Sequence, residues 1–142
     1  MTRAVLDTNT LVSAVINIQS SVSQEIFQYF KSEKFVLVIS PAVLTELDRV
    51  LHEERIMKRY KLTNKKIDIT LNELINLSYV VSENIKVEVV RDPDDNKIIE
   101  AAIEGKASYI VTRDKDLLDL EKYEGIKMKS PEEFIKVLRA DS

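Results

Sequence analysis

The chain has 142 residues, 44% hydrophobic and 32% charged, with a formal net charge of −3. That is the length of one domain with a real core, residues 1–142, and the balance of a globular rather than a disordered protein. With no cysteine and a single histidine, His52, disulfides and thiolate sites are excluded, and a histidine-based zinc site or a Ser-His-Asp triad lacks its residues.

In chain order, short apolar runs alternate with helical stretches, which predicts an α/β domain with a parallel sheet. Residues 4–6 form a continuously apolar run, read as a central strand buried on both faces. Helical segments over 11–16 and 22–30 follow, then an all-apolar strand over 35–39. Ser40 as N-cap and Pro41 at the first helical position open a helix to about Leu51. More polar helices are expected over 53–60 and 64–77, with Thr63 as a cap, and a third short strand over 87–90. Asp92-Pro93 opens a helix that closes at Gly105. Strands over 109–112 and 126–128 and a last helix over 132–138, begun by Ser130-Pro131, complete the pattern. No apolar run approaches a membrane span and the N-terminus does not read as a signal peptide, so a cytoplasmic protein is expected.

Four of these stretches carry acids where packing does not ask for them. Asp7 follows the first strand, on the carboxyl-end rim where open parallel sheets bind ligands, although it could equally cap the next helix. Glu46 lies about 100° from the centre of its helix's apolar face, an edge that suits either solvent or a cleft. Ile98, Ile99, Ala102 and Ile103 mark the buried face of the next helix, and one turn back that stripe meets Asp95 while Asp94 falls outside it. A charge aimed inward needs a partner. Asp114 and Asp116 follow the fourth strand on the same rim as Asp7, with a cap for a short helix as the plainer role of Asp114. Asn9 and Thr112 offer short polar groups that could orient a carboxylate from outside the ligand set. Carboxylates gathered in one cleft repel one another and call for a cation, and hard oxygen ligands select Mg²⁺ or Mn²⁺. Two such ions would neutralise about four charges, which answers the objection that a net acidic chain is a poor partner for nucleic acid.

The motifs Val5-Leu6-Asp7-Thr8-Asn9, Ser40 to Leu47, Asp92 to Lys97 and Val111 to Leu118, in this order, resemble the PIN-domain family of nucleases. The resemblance is to the toxin-like branch of prokaryotic toxin–antitoxin systems and covers residues 3 to about 138. It implies a three-layer fold, a parallel sheet of about five strands flanked by helices. The family's acidic quartet falls on Asp7, Glu46, Asp95 and Asp114, with Asp116 as accessory. Asp7, Asp95, Asp114 and Asp116 would then be the metal ligands. The resemblance also implies Mg²⁺- or Mn²⁺-dependent cleavage of RNA, frequent homodimers, and inhibition by a small antitoxin protein.

For RNA, Lys97, Arg113 and Lys115 border the expected cleft, and the basic residues between Arg55 and Lys66 offer a phosphate track or simply a solvated face. A haloacid-dehalogenase-type phosphatase would need a second Asp where Asn9 stands, and a receiver-like domain would leave Glu46 and Asp95 unexplained. An RNA-processing PIN nuclease without antitoxin would have the same residues. A non-catalytic PIN scaffold binding RNA or protein would not need the acids intact.

Overall fold

The computed structural model describes residues 1–16 and 21–141. Its elements are β1 (Arg3–Leu6), α1 (Thr8–Val15), α2 (Val22–Lys31), β2 (Val36–Ile39), α3 (Pro41–Leu51), α4 (Glu54–Arg59), α5 (Asn64–Leu77) and β3 (Tyr79–Val80). After a long extended segment come α6 (Pro93–Glu104), β4 (Tyr109–Val111), α7 (Lys115–Leu118), β5 (Lys122–Tyr123), β6 (Ile126–Lys129) and α8 (Pro131–Asp141). The six strands form one sheet in the order β3-β2-β1-β4-β6-β5, parallel except for the β5–β6 pair. Among the described residues no helix is long and apolar enough to cross a membrane.

β1 lies in the interior of the sheet because its side chains are apolar on both faces: Ala4, Val5 and Leu6 are almost wholly buried. α6 packs across β1, β2 and β4, while α2 contacts α1 and α8. The sheet leaves β1 towards β2 on one side and β4 on the other, and such a divide opens a crevice beyond the carboxyl ends of the strands. At the amino ends the space is filled instead. Phe35 precedes β2, Tyr109 begins β4, and the fully buried Phe134 of α8 meets both rings at 5.4 and 5.6 Å between centroids.

One expectation needs correction. Residues 87–90 are not a strand of the sheet; the third strand is the two-residue β3, which pairs with β2. Residues 83–89 alternate between half-buried and exposed, so the two-residue period that marks an extended chain is real. Its amides, however, bond to side chains of α6 rather than to a neighbouring strand. The α7–β6 interval also contains the hairpin strand β5, which brings the sheet to six strands. Gly105 does close α6, though not by a left-handed backbone. Its φ is −84° and the left-handed residue is Lys106. The glycine is required by packing: a Cβ there would lie 2.3 Å from Val38 Cγ1 of β2.

Candidate active site

Asp7 and Asp114 are each placed by the end of a strand and the start of a helix, and Asp95 by the start of α6 alone. Asp7 ends β1 and caps α1, accepting from the Thr10 amide at 2.9 Å. Its own amide donates to the Val111 carbonyl, so the ends of β1 and β4 are tied together. Asp114 follows β4 and caps the single turn of α7, accepting from the amides of Asp116 and Leu117. Asp92 caps α6 through the Asp94 amide, which leaves Asp95 in the helix's first turn. Capping and gathering are thus one arrangement: each cap places a carboxylate at the same rim, and the cap uses only part of its hydrogen-bonding capacity.

The result is a cleft of about 530 Å³ whose lining includes Asp7, Asn9, Glu46, Asp95, Lys97 and Asp114. Asp95, Asp114 and Asp116 each bring a carboxylate oxygen within 4.8 Å of the others'. Asp7 and Glu46 line the same cleft outside this close group, so of the four expected metal ligands Asp7, Asp95, Asp114 and Asp116 it is Asp7 that stands apart from the tightest set. Asp94 and Asp92 are exposed on the rim, whereas Asp95 is half-buried, as its place on the core stripe of α6 requires.

Electrostatics separate these acids. Burial pushes the Asp95 carboxyl up to about 6 from an ordinary 3.8, and repulsion from Asp114, Asp92, Asp7 and Asp116 adds to the rise. Every influence on this group favours its neutral form, the signature of a charge set among like charges. Glu46 is the opposite case. Arg49 grips it with two hydrogen bonds, at 2.6 and 3.3 Å, and holds its carboxyl below the ordinary range.

Thr112 is wholly buried and its hydroxyl joins two of the acids, donating to Asp7 Oδ2 and accepting from the Asp114 amide at 2.9 Å. Asn9 is exposed on the cleft wall, and no hydrogen bond ties it to a carboxylate among the described residues. Of the three cations, Lys97 and Arg113 line the cleft. Arg113 is held by both oxygens of Glu132, at 2.9 and 2.7 Å, and Lys115 lies along α7 on Asp119 at 2.9 Å.

Sequence reasoning missed one set of residues. Asn96, Glu100 and Glu104, four apart on one face of α6, take the amides of residues 82–84, 87, 89 and 90 in place of a strand partner. Asn96, almost fully buried, accepts from Val89 and Val90 and donates to the Val90 carbonyl. Glu100 accepts from Val87 and Glu104 from Ser82, Glu83 and Asn84. The four-residue spacing of polar side chains beside an unpaired extended run was the available signal.

Residues 3–116 match the family model described as PIN domain. The chain belongs to the PIN domain family. A relative of 34% identity, the uncharacterized protein MJ1680 of Methanocaldococcus jannaschii, aligns over 94% of this chain and 90% of its own length. The PIN fold is also seen in a chain of the crystal structure of VapBC2 from Rickettsia felis bound to a DNA fragment from their promoter. That chain is 18% identical, with a TM-score of 0.59 over 90% of this chain and 98% of the other. PIN domains are generally nucleases, a chemistry that agrees with a carboxylate cleft at the strand ends.

Proposed function

We propose that residues 1–142 act as one PIN nuclease domain that hydrolyses RNA phosphodiester bonds with Mg²⁺ or Mn²⁺, as the cytoplasmic toxin of a toxin–antitoxin pair. The observation that carries the reading is the close group of Asp95, Asp114 and Asp116, in which Asp95 is surrounded by like charge. The donor set fits a hard divalent cation: it is all oxygen and has no thiolate or imidazole. Asp95, Asp114 and Asp116 would hold the ion, with Asp7 reaching it from the end of β1. A bound ion supplies charge neutralisation and Lewis-acid activation of water for in-line displacement at phosphorus.

The chain's own groups do the rest. Thr112 holds Asp7 and the Asp114 backbone at a fixed separation, so the carboxylates need little rearrangement on binding. Glu46, on the wall formed by α3 and kept ionised by Arg49, is the acceptor that orients the attacking water or completes the metal shell. Lys97 meets a substrate phosphate at the rim.

The fold shared with a VapBC2 complex supports a small antitoxin protein as partner. Homodimerisation has exposed apolar side chains to draw on, Ile75 and Leu77 of α5 and Tyr79 and Val80 of β3 among them. The test is incubation of the protein and its Asp95→Asn variant with structured and single-stranded RNA in Mn²⁺, Mg²⁺ or EDTA, followed by end mapping. Metal-dependent cleavage leaving 5′-phosphate and 3′-hydroxyl ends, lost in the variant, is the expected result. Cleavage that persists in EDTA or in the variant would refute the site.

A further inference from the structure

Two helices carry the acids that lie apart in the cleft: α3 bears Glu46 and α6 bears Asp95. The extended segment 82–91 runs from β3 to the start of α6, and one residue on it reaches both helices. Glu83 donates its amide to Glu104 of α6 at 3.2 Å and accepts the Ala42 amide of α3 on its side-chain Oε1 at 2.9 Å. Ala42 sits one helical turn before Glu46, and both line the cleft.

The bond to Ala42 is a well-placed one. The first amides of a helix lack partners within it, and Ser40 satisfies only that of Val43. A carboxylate at this end also faces the positive end of the helix dipole. Glu83 adopts a left-handed backbone with φ of 61°, a conformation uncommon for a non-glycine residue. Contacts hold the segment on both sides. Burial pushes the Glu104 carboxyl up, but the amides of Asn84, Ser82, Ile85 and Glu83 together outweigh it and hold the group below its ordinary range, ionised. At the other end of the segment Asn96, next to Asp95, clamps Val89 and Val90. The segment is therefore fastened along α6 by side chains and fastened to α3 through Glu83.

We infer that Glu83 is a positioning residue for the nuclease reaction, acting as the brace that sets α3, and with it Glu46, against the metal-holding acids on and beside α6. The inference rests on the nuclease reading above. It separates Glu83 from the residues that touch substrate or metal: Glu83 acts through the Ala42 amide and the backbone it belongs to.

The experiment compares wild type with Glu83→Ala, Glu83→Gln, Glu46→Gln and the double variant Glu83→Ala/Glu46→Gln. Cleavage is followed at saturating Mn²⁺, with Mn²⁺ affinity by calorimetry and amide exchange at Ala42 by NMR. Glu83→Ala is expected to lower kcat roughly tenfold, since small misplacements of a reacting group carry costs of that order. KM and Mn²⁺ affinity should stay within about twofold and the Ala42 amide should exchange faster. Glu83→Gln keeps the acceptor and should recover most of the loss. In the Glu46→Gln background Glu83→Ala should cost nothing further, because its effect passes through Glu46. A general loss of structure would instead lower both backgrounds equally, and that result would overturn the inference. So would full kcat in Glu83→Ala despite a faster Ala42 amide. A wild type without metal-dependent cleavage would bring down the nuclease reading and this one with it, whereas an active wild type beside an unaffected Glu83→Ala would bring down this one alone.

Discussion

The two ends of the sheet are built from opposite materials. At the amino ends Phe35, Tyr109 and Phe134 pack ring on ring, with Phe30 and Phe27 continuing the stack onto α2. At the carboxyl ends Asp7, Asp95, Asp114 and Asp116 gather, and Asp95 finds only influences that disfavour its charge. The first end lowers the free energy of the fold by taking aromatic surface out of water. The second raises it, and is tolerable because the rest of the sheet holds the acids together. Stability and chemistry are thus assigned to different ends of the same short strands, and substitutions at the two ends should separate them.

The largest effect is expected at the aromatic end. Phe134→Ala removes a fully buried ring that touches Phe35 and Tyr109, and should cost about 3–5 kcal/mol of unfolding free energy by urea titration. The fraction that remains folded should keep wild-type Mn²⁺ affinity. A variant as stable as wild type yet inactive would collapse the division between the ends. Asp95→Asn is its mirror image. Cleavage should fall on the order of 10³-fold, while the metal-free protein unfolds at equal or higher urea concentration, because the substitution removes a charge held among like charges. Loss of stability with retained activity would invert the assignment of Asp95.

The acid motifs were legible in the sequence because each is also a local signal. A helix cap and a helical stripe are written within a few residues, and they place Asp7, Asp95 and Asp114 without knowledge of the rest of the chain. The same holds for the helix 64–77, whose cap at Thr63 and termini agree with the structure. The segment 82–91 was not legible for the complementary reason. Alternation announces an extended chain but not what completes its hydrogen bonds. Here the partners are Asn96, Glu100 and Glu104 of the next helix, which read on their own as an ordinary polar face. The two-residue β3 is too short to carry any period, and Tyr79 and Val80 are half-exposed. The grip of Arg49 on Glu46 is an (i, i+3) pair that the sequence allows, but its occurrence depends on which way the helix edge faces.

Thr112 belongs to both ends of the comparison, since it is buried like the core and bonded like the site. Thr112→Val keeps the shape and removes the hydroxyl that joins Asp7 to the Asp114 backbone. A buried hydrogen bond of this kind is worth about 1 kcal/mol, so the loss of stability should be modest. Activity should drop more than stability does, by roughly ten- to a hundredfold, because orientation of the ligands is lost. Thr112→Ser, which keeps the hydroxyl, should recover the activity. If Val and Ser variants cleave equally well, the hydroxyl serves packing alone.

The smallest effect tests the electrostatic half of the comparison directly. In the folded, metal-free protein Asp95 titrates near 6, against 3.8 for an unperturbed carboxyl. Between those values the folded state binds more protons than the unfolded chain, so this group's contribution to stability falls as pH rises. The favourable part is fully present below about pH 4 and gone above about pH 6. Asp95 is half-buried, and solvent screening should reduce the contribution to about 1 kcal/mol. Urea midpoints in EDTA at pH 4 and pH 7 should therefore differ less in Asp95→Asn than in wild type, since other acids titrate in both and only this one is removed. Mn²⁺ added at pH 7 should return the lost stability to wild type and much less to the variant. An identical pH dependence in the two proteins would mean that the charge at the carboxyl end of the sheet is already balanced by the fold, and that the cleft has no electrostatic demand for a cation.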